Sequence, residues 1–196
     1  MAYETYITDA VVVGSFANNT ADKSYALFTE RAGLVYASAK SVREERSRQR
    51  YALQDFSHIT VTLVKGKTGW RIGSVDVYNN FYADARTRSA RGSIVKLTKL
   101  LRRYVHGEIP EPQLYREFLA ALHFLGQSEV AEREGFDLLA SVRLLTELGY
   151  VAPPKTLDGY LGTPYETLSP QQVADLEPVL LGCYQGAQAV SHLERG

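Results

Sequence analysis

His58-Ile59-Thr60-Val61-Thr62-Leu63-Val64, then Lys65-Gly66-Lys67-Thr68-Gly69, then Trp70-Arg71-Ile72-Gly73-Ser74-Val75-Asp76-Val77-Tyr78, is the stretch on which the fold turns. Its first seven residues alternate. Ile59, Val61 and Leu63 share one face and His58, Thr60 and Thr62 the other, the period of a half-buried strand. The Lys- and Gly-rich residues after Val64 read as a hairpin turn. In the returning strand Trp70 and Ile72 share one parity, while Val75 and Val77 share the other. Gly73 sits between them and marks a β-bulge, the usual way a small barrel bends a strand.

Upstream, Thr5 to Gly14, Ser24 to Thr29, and the run from Gly33 to Ala39 read as three more short strands rich in Val, Thr, Tyr and small residues. Five strands within about eighty residues fit a Greek-key barrel of the OB type. After Asn79-Asn80 the period becomes helical. From Ala90 to Val105, Ala90, Ile94, Leu97, Leu100, Leu101, Tyr104 and Val105 fall on one arc. Arg88, Arg91, Lys96, Lys99, Arg102 and Arg103 fall on the opposite one, with Val95 the misfit. Gln113 to Leu125 is expected to form a second helix stopped by Gly126, and Glu129 to Leu148 a third stopped by Gly149. Lys155 to Thr167 reads as a loop. Ser169-Pro170-Gln171-Gln172 is a capping box with Pro at the first helical position, and Pro178 is expected to interrupt the helix begun there. The expected organisation is mixed α+β. A five-stranded OB barrel covers residues 1–80 and an all-α domain covers 81–196, with a basic first helix (83–105) and an acidic remainder.

The formal net charge of zero hides a dipole. Residues 1–105 hold 17 Lys and Arg against 9 Asp and Glu, and residues 106–196 hold 5 against 13. Such asymmetry points to a polyanion partner for the first half. No run approaches a membrane span. The opening MAYETYITDA has neither a basic n-region nor an apolar core, so no signal peptide is expected. One cysteine, Cys183, excludes an internal disulfide and a zinc site built on several cysteines. A bacterial cytoplasmic location is expected, with no cofactor.

Two elements stand out as phosphate contacts. The segment after the third strand places Lys40, Arg43, Arg46, Arg48 and Arg50 within eleven positions. Arg suits bidentate contact with phosphate oxygens, and Ser41 and Ser47 add neutral donors. The alternative is a solvated linker in which Glu44 and Glu45 pair with the arginines. The second element is the basic helix face of Arg88, Arg91, Lys96, Lys99, Arg102 and Arg103, with Arg71 on the fifth strand as a further candidate. A solvated face normally mixes signs, and this one does not. It lacks the Trp and Phe anchors of a helix lying on a membrane. Tyr36, Tyr51, Phe56 and Trp70 are candidates for stacking on bases, each also readable as a core or hairpin residue. No phosphate-binding loop, dinucleotide fingerprint, metalloprotease motif or nucleophile elbow is present, and the four histidines show no metal-ligand spacing. Catalysis is not expected. The rival readings are an OB-fold RNA-binding factor and an assembly module docking on acidic partners.

The order of elements resembles the RecO recombination-mediator family. The resemblance rests on Tyr3-Glu4-Thr5-Tyr6 leading into Asp9 to Gly14, Asp22-Lys23, Leu27-Phe28-Thr29 and Gly33-Leu34-Val35. It continues through the Arg-rich segment, Tyr51 to Phe56, Gly69-Trp70-Arg71, and Leu138-Leu139 to Leu148-Gly149-Tyr150 with Pro153. It implies an OB-fold followed by a helical domain that binds single- and double-stranded DNA and anneals complementary strands. It also implies association with the nucleoid, with RecR and with the acidic tail of single-stranded-DNA-binding protein, in loading recombinase onto gapped DNA. Many relatives carry a four-cysteine zinc site after the Leu-Gly-Tyr-x-x-Pro region. Here Ala152-Pro153-Pro154 leads into a stretch without one. Arg116 and Arg143 are the candidates for receiving the acidic tail. Reversing Arg46, Arg48 and Arg50 to Glu is expected to weaken single-stranded DNA binding at least roughly tenfold and to flatten its salt dependence. Titrations over a range of salt check this.

Overall fold

The structure, a computed structural model, describes residues 4–17, 22–42, 47, 49–67, 69–129 and 135–193. Five strands, β1 (Glu4–Ala17), β2 (Lys23–Thr29), β3 (Gly33–Ala39), β4 (Ser57–Gly66) and β5 (Gly69–Asn80), form a closed barrel in the order β1-β2-β3-β5-β4. β1 serves two neighbours. Glu4 to Val11 pairs with β4, and Ala10 to Ala17 pairs with β2, with a register shift between Val12 and Gly14 where the strand bends. The β4–β5 hairpin is closed by the Gly66–Gly69 pair, and Gly69 adopts φ +118. Leu63 faces Ile72 and Val61 faces Val75, so Gly73 and Ser74 together oppose Thr62. This is the bulge expected at Gly73, and it returns Val75 to the inner face after Ile72. Ala10, Val12, Tyr25, Leu27, Val35, Ile59, Val61, Leu63 and Trp70 fill the interior. A one-turn helix, α1 (Gln49–Ala52), is fastened to the bulge by the Gln49 side chain, which donates to the Gly73 carbonyl.

The remaining helices are α2 (Phe81–Asp84), α3 (Arg88–Tyr104), α4 (Pro112–Gln127), α5 (Phe136–Glu147), α6 (Asp158–Leu161), α7 (Pro170–Asp175) and α8 (Glu177–Leu193). The chain forms two compact units, residues 1–84 with 105–115, and residues 85–104 with 116–196. A boundary at residue 80 makes no provision for the return of 105–115 to the barrel. There the Leu34 amide donates to the Gly107 carbonyl, and the Tyr115 ring lies 5.6 Å from that of Phe28. Both Phe28 and Leu34 point outward from the barrel and are buried by this strap.

In the second unit α5 packs against α3, α7 and α8. The core there includes Ile94, Leu101, Phe118, Leu122, Phe136, Leu139, Leu144, Leu157 and Leu180. Several expectations are corrected. The basic helix is preceded by a separate turn, α2, and begins at Arg88, because Thr87 caps it by accepting from the Ala90 amide at 3.1 Å. Gly126 does not stop α4, which runs to Gln127. Within the described residues the third helix starts at Phe136, and the span 155–167 holds two 3-10 turns and α6 rather than a loop. The interruption expected near Pro178 is present: the helix begun at Pro170 ends at Asp175, and Pro178 lies in the first turn of the next, α8, where its missing N–H has no helical partner to lose. The capping box at Ser169 and Gln172 is present in both directions. No described helix is long and apolar enough to cross a membrane.

Gly33 has φ +66, and a Cβ there would fall on the backbone of Ile109 in the strap. Gly33→Ala is therefore expected to cost at least about 2 kcal/mol, left-handed strain plus the collision. In urea denaturation its midpoint falls. Gly92→Ala, in an exposed helical position with open space around it, leaves the midpoint unchanged or raises it.

Candidate nucleic-acid interface

On the outer face of the barrel the strand registers align one row of side chains. Phe16 on β1 pairs with Ser24 on β2, Ser24 with Ser38 on β3, and Ser38 with Arg71 on β5. One step along, Gly14 pairs with Ala26 and Ala26 with Tyr36. Phe16 and Tyr36 are 41% and 57% exposed, large values for aromatic rings on a sheet. They stand two strands apart, yet their centroids approach to 6.3 Å with the rings tilted by 41°. The intervening strand presents only Ser24 and Ala26, so the rings lean together over it. The result is an aromatic platform with hydroxyls beside it and an exposed arginine at its end. Rings offer faces for stacking at about 1–3 kcal/mol per base, and an arginine fork suits a phosphate. Among the described residues Arg71 makes no ion pair.

The sequence singles out Tyr36 and Arg71 but not Phe16. The expected strand ends at Gly14, and the register shift at Val13 rephases the residues beyond it. The alternation of Gly14, Ser15 and Phe16 is the available signal. Trp70 is corrected. It is 6% exposed, donates its indole N–H to Glu108 at 2.8 Å and meets the Tyr6 ring edge-on at 5.3 Å. It belongs to the barrel core and cannot stack on a base. Phe56 instead stacks on Tyr82 at 5.4 Å. Tyr51 is exposed on α1, with the Arg50 guanidinium donating to its hydroxyl at 3.0 Å. Lys40 is exposed at the end of β3. Arg43, Arg46 and Arg48 lie outside the described residues.

In the second unit Arg88, Lys96, Lys99 and Arg102 are exposed along α3, and Arg91 and Arg103 are half-buried. Among the described residues Arg88, Lys96 and Lys99 make no ion pair. Lys96, Lys99 and Arg103 also border a groove of about 550 Å³ floored by Leu97, Leu100 and Leu138. At one end of it the Ser93 hydroxyl donates to Asp137 at 3.0 Å.

Arg143 does not face a groove. It is 3% exposed, stands 3.5 Å from Glu117 and donates to the carbonyls of Tyr160 and Thr163. Its guanidinium lies 4.2 Å from the Tyr165 ring, whose hydroxyl donates to Glu117. Burial, reinforced by Glu117, pushes the Tyr165 hydroxyl well up, so it remains a donor. This guanidinium is buried and already paired with Glu117, so an acidic tail has no access to it. Arg116 is exposed on α4.

A closed five-stranded barrel with an exposed aromatic pair, followed by a helical unit with a cationic helix face, defines the class: a barrel-and-helix protein with chemistry suited to polyanions. The chain belongs to the RecO family. The model for the N-terminal part of recombination protein O matches residues 1–81, and that for its C-terminal part matches residues 92–153. Relatives named DNA repair protein RecO include that of Desulfitobacterium hafniense, 27% identical over 148 residues, which are 74% of this chain and 52% of the relative. That of Geobacter metallireducens is 28% identical over 149 residues, 75% and 59% respectively. The chain thus spans little more than half the length of these relatives.

Trp70, the sole tryptophan, gives a direct optical check. Titration with single-stranded DNA is expected to leave its emission maximum in place with only slight quenching. Strong quenching on binding would return Trp70 to the interface.

Proposed function

We propose that this chain is a DNA-binding mediator of recombination and repair that holds single strands and promotes their annealing without bond chemistry. The observation that carries the reading is the Phe16–Tyr36 platform, with Ser24, Ser38 and Arg71 in register beside it. Annealing needs a surface that neutralises phosphates while holding bases unstacked from one another. Aromatic faces and a cation in one row meet both needs. The exposed cations of α3 supply a second phosphate-binding element, indifferent to whether the backbone is single- or double-stranded. Membership of a family whose relatives are named for DNA repair supports this reading over an RNA-binding one.

With a RecR-type partner, the same hold on a single strand would serve a second activity, recombinase loading onto gapped DNA. The acidic tail of single-stranded-DNA-binding protein is assigned to the α3 groove rather than to Arg143. An apolar floor rimmed by Lys96, Lys99 and Arg103 suits a peptide with acidic residues and an apolar tip.

The test is annealing of complementary oligonucleotides, bare and coated with single-stranded-DNA-binding protein. The wild-type chain accelerates both. Replacing Phe16 and Tyr36 together by Ala is expected to weaken single-strand binding roughly tenfold and to slow annealing of both substrates. Leu138→Asp in the groove slows only the coated reaction. Tighter binding to RNA than to DNA of the same sequence overturns the DNA assignment, and negligible affinity for both at physiological salt favours the assembly module.

A further inference from the structure

At the end of the barrel, beside α1, lies a cleft of about 750 Å³ that the platform does not use. Its volume is within the roughly 300–1,000 Å³ typical of small-molecule sites. Lys23, Tyr25, Arg50, Tyr51, Gln54 and Asp55 are among its lining residues. The strand period ties it to the platform. Ser15 opens into the cleft while Phe16, the next residue, lies on the outer face, and Lys23 and Ser24 divide in the same way on β2. The platform and the cleft are thus one residue of backbone apart on both strands.

The cleft is lined by two cations, Lys23 and Arg50, and one carboxylate, Asp55. Lys23 is half-buried and Asp55 exposed, and among the described residues neither makes an ion pair. Arg50 is held beside the exposed Tyr51 ring, its guanidinium 5.0 Å from the ring centre. Burial and the Asp55 carboxylate push the Tyr25 hydroxyl up to about 12, so at neutral pH it remains a hydrogen-bond donor. The two cations suit a phosphate, and the exposed Tyr51 ring offers a face to a base. Asp55 is different. An ionised carboxylate only accepts hydrogen bonds, so it repels a phosphate and favours a base edge rich in N–H groups. Guanine presents adjacent N1–H and N2–H donors that a carboxylate accepts together. Thymine presents two carbonyls around a single N–H.

We propose that this cleft receives one nucleotide of a bound single strand, with its phosphate toward Lys23 and Arg50 and its base edge toward Asp55, and that it prefers guanine. The proposal rests on the single-strand reading of the platform.

Fluorescence anisotropy with the full chain tests it, comparing an oligothymidylate about fifteen nucleotides long with the same strand carrying one central guanine. The guanine strand is expected to bind about fivefold tighter, the low end for a bidentate base contact. Asp55→Asn abolishes that preference while oligothymidylate affinity rises by no more than about twofold, as removal of one exposed negative charge allows. Lys23→Gln weakens binding of both strands and takes about 0.7 off the slope of log K against log salt. Equal affinity of the wild-type chain for the two strands, with oligothymidylate binding intact, overturns the cleft assignment and leaves the platform reading standing. A guanine preference that survives Asp55→Asn also overturns it. Failure of both strands to bind overturns both readings.

Discussion

Two residue pairs close the barrel: Ala37 with Trp70 and Ser38 with Arg71, the only parallel contacts in the sheet among the described residues. Without them β3 and β5 would each present an open edge, with backbone groups unpaired and the inner face exposed to water. Closure at this point is possible because Trp70 fills the interior there. Its indole is fixed by Glu108 and its ring is covered by Lys65 and Tyr6. The same closure sets the outer face. Pairing Ser38 with Arg71 continues the row that begins at Phe16, so the residue that completes the core and the residue that ends the platform are neighbours in sequence. Burying Trp70 and presenting Arg71 are one event seen from the two sides of a strand.

The second unit depends on a buried charge. Removing an arginine and a carboxylate from water is costly unless further hydrogen bonds satisfy them. Here Glu117 accepts from Tyr165, and Arg143 donates to the carbonyls of Tyr160 and Thr163. Phe124 stacks on Tyr165 at 5.3 Å and meets Phe136 at 4.7 Å, lining the site with aromatic rings. The segment that supplies these partners lies beyond residue 153, where the match to the C-terminal family model ends. That segment is therefore integrated into the unit by polar contacts of its own rather than appended to it.

The barrel is legible in the sequence because its signals are local. The alternation from His58 to Val64, the turn at Gly66–Gly69 and the parity change at Gly73 each specify their own geometry, and the registers conform to them. The basic arc of α3 is legible for the same reason, since a helical period needs no tertiary information. The features that escape a sequence reading depend on partners distant along the chain. Phe16 becomes a platform residue only because Ser24 and Ala26 are small on the strand beside it. Trp70 moves to the core because Glu108, distant in sequence, accepts its N–H. Arg143 moves inward because Glu117 and two carbonyls await it. Pro178 is legible locally as well: it cannot continue the helix begun at Pro170, which ends at Asp175, and it is accommodated in the first turn of α8.

The charge dipole along the chain has a smaller counterpart around the barrel. Opposite the platform, strands β1, β4 and β5 present Asp9 paired with Thr60 and Thr60 paired with Asp76. Thr60 donates to Asp9 at 2.8 Å, and Thr62 and Ser74 share a hydrogen bond at 2.8 Å. This face has hydroxyls and carboxylates and, among the described residues, no exposed cation in the row, so its charge is unfavourable to a phosphate backbone. For a strand bound at the platform, this charge pattern favours confinement to one side of the barrel. Under the proposed function such confinement matters. A strand held along one face keeps its bases reachable by a complementary strand, whereas a strand wrapped around the barrel would be bound but shielded from pairing.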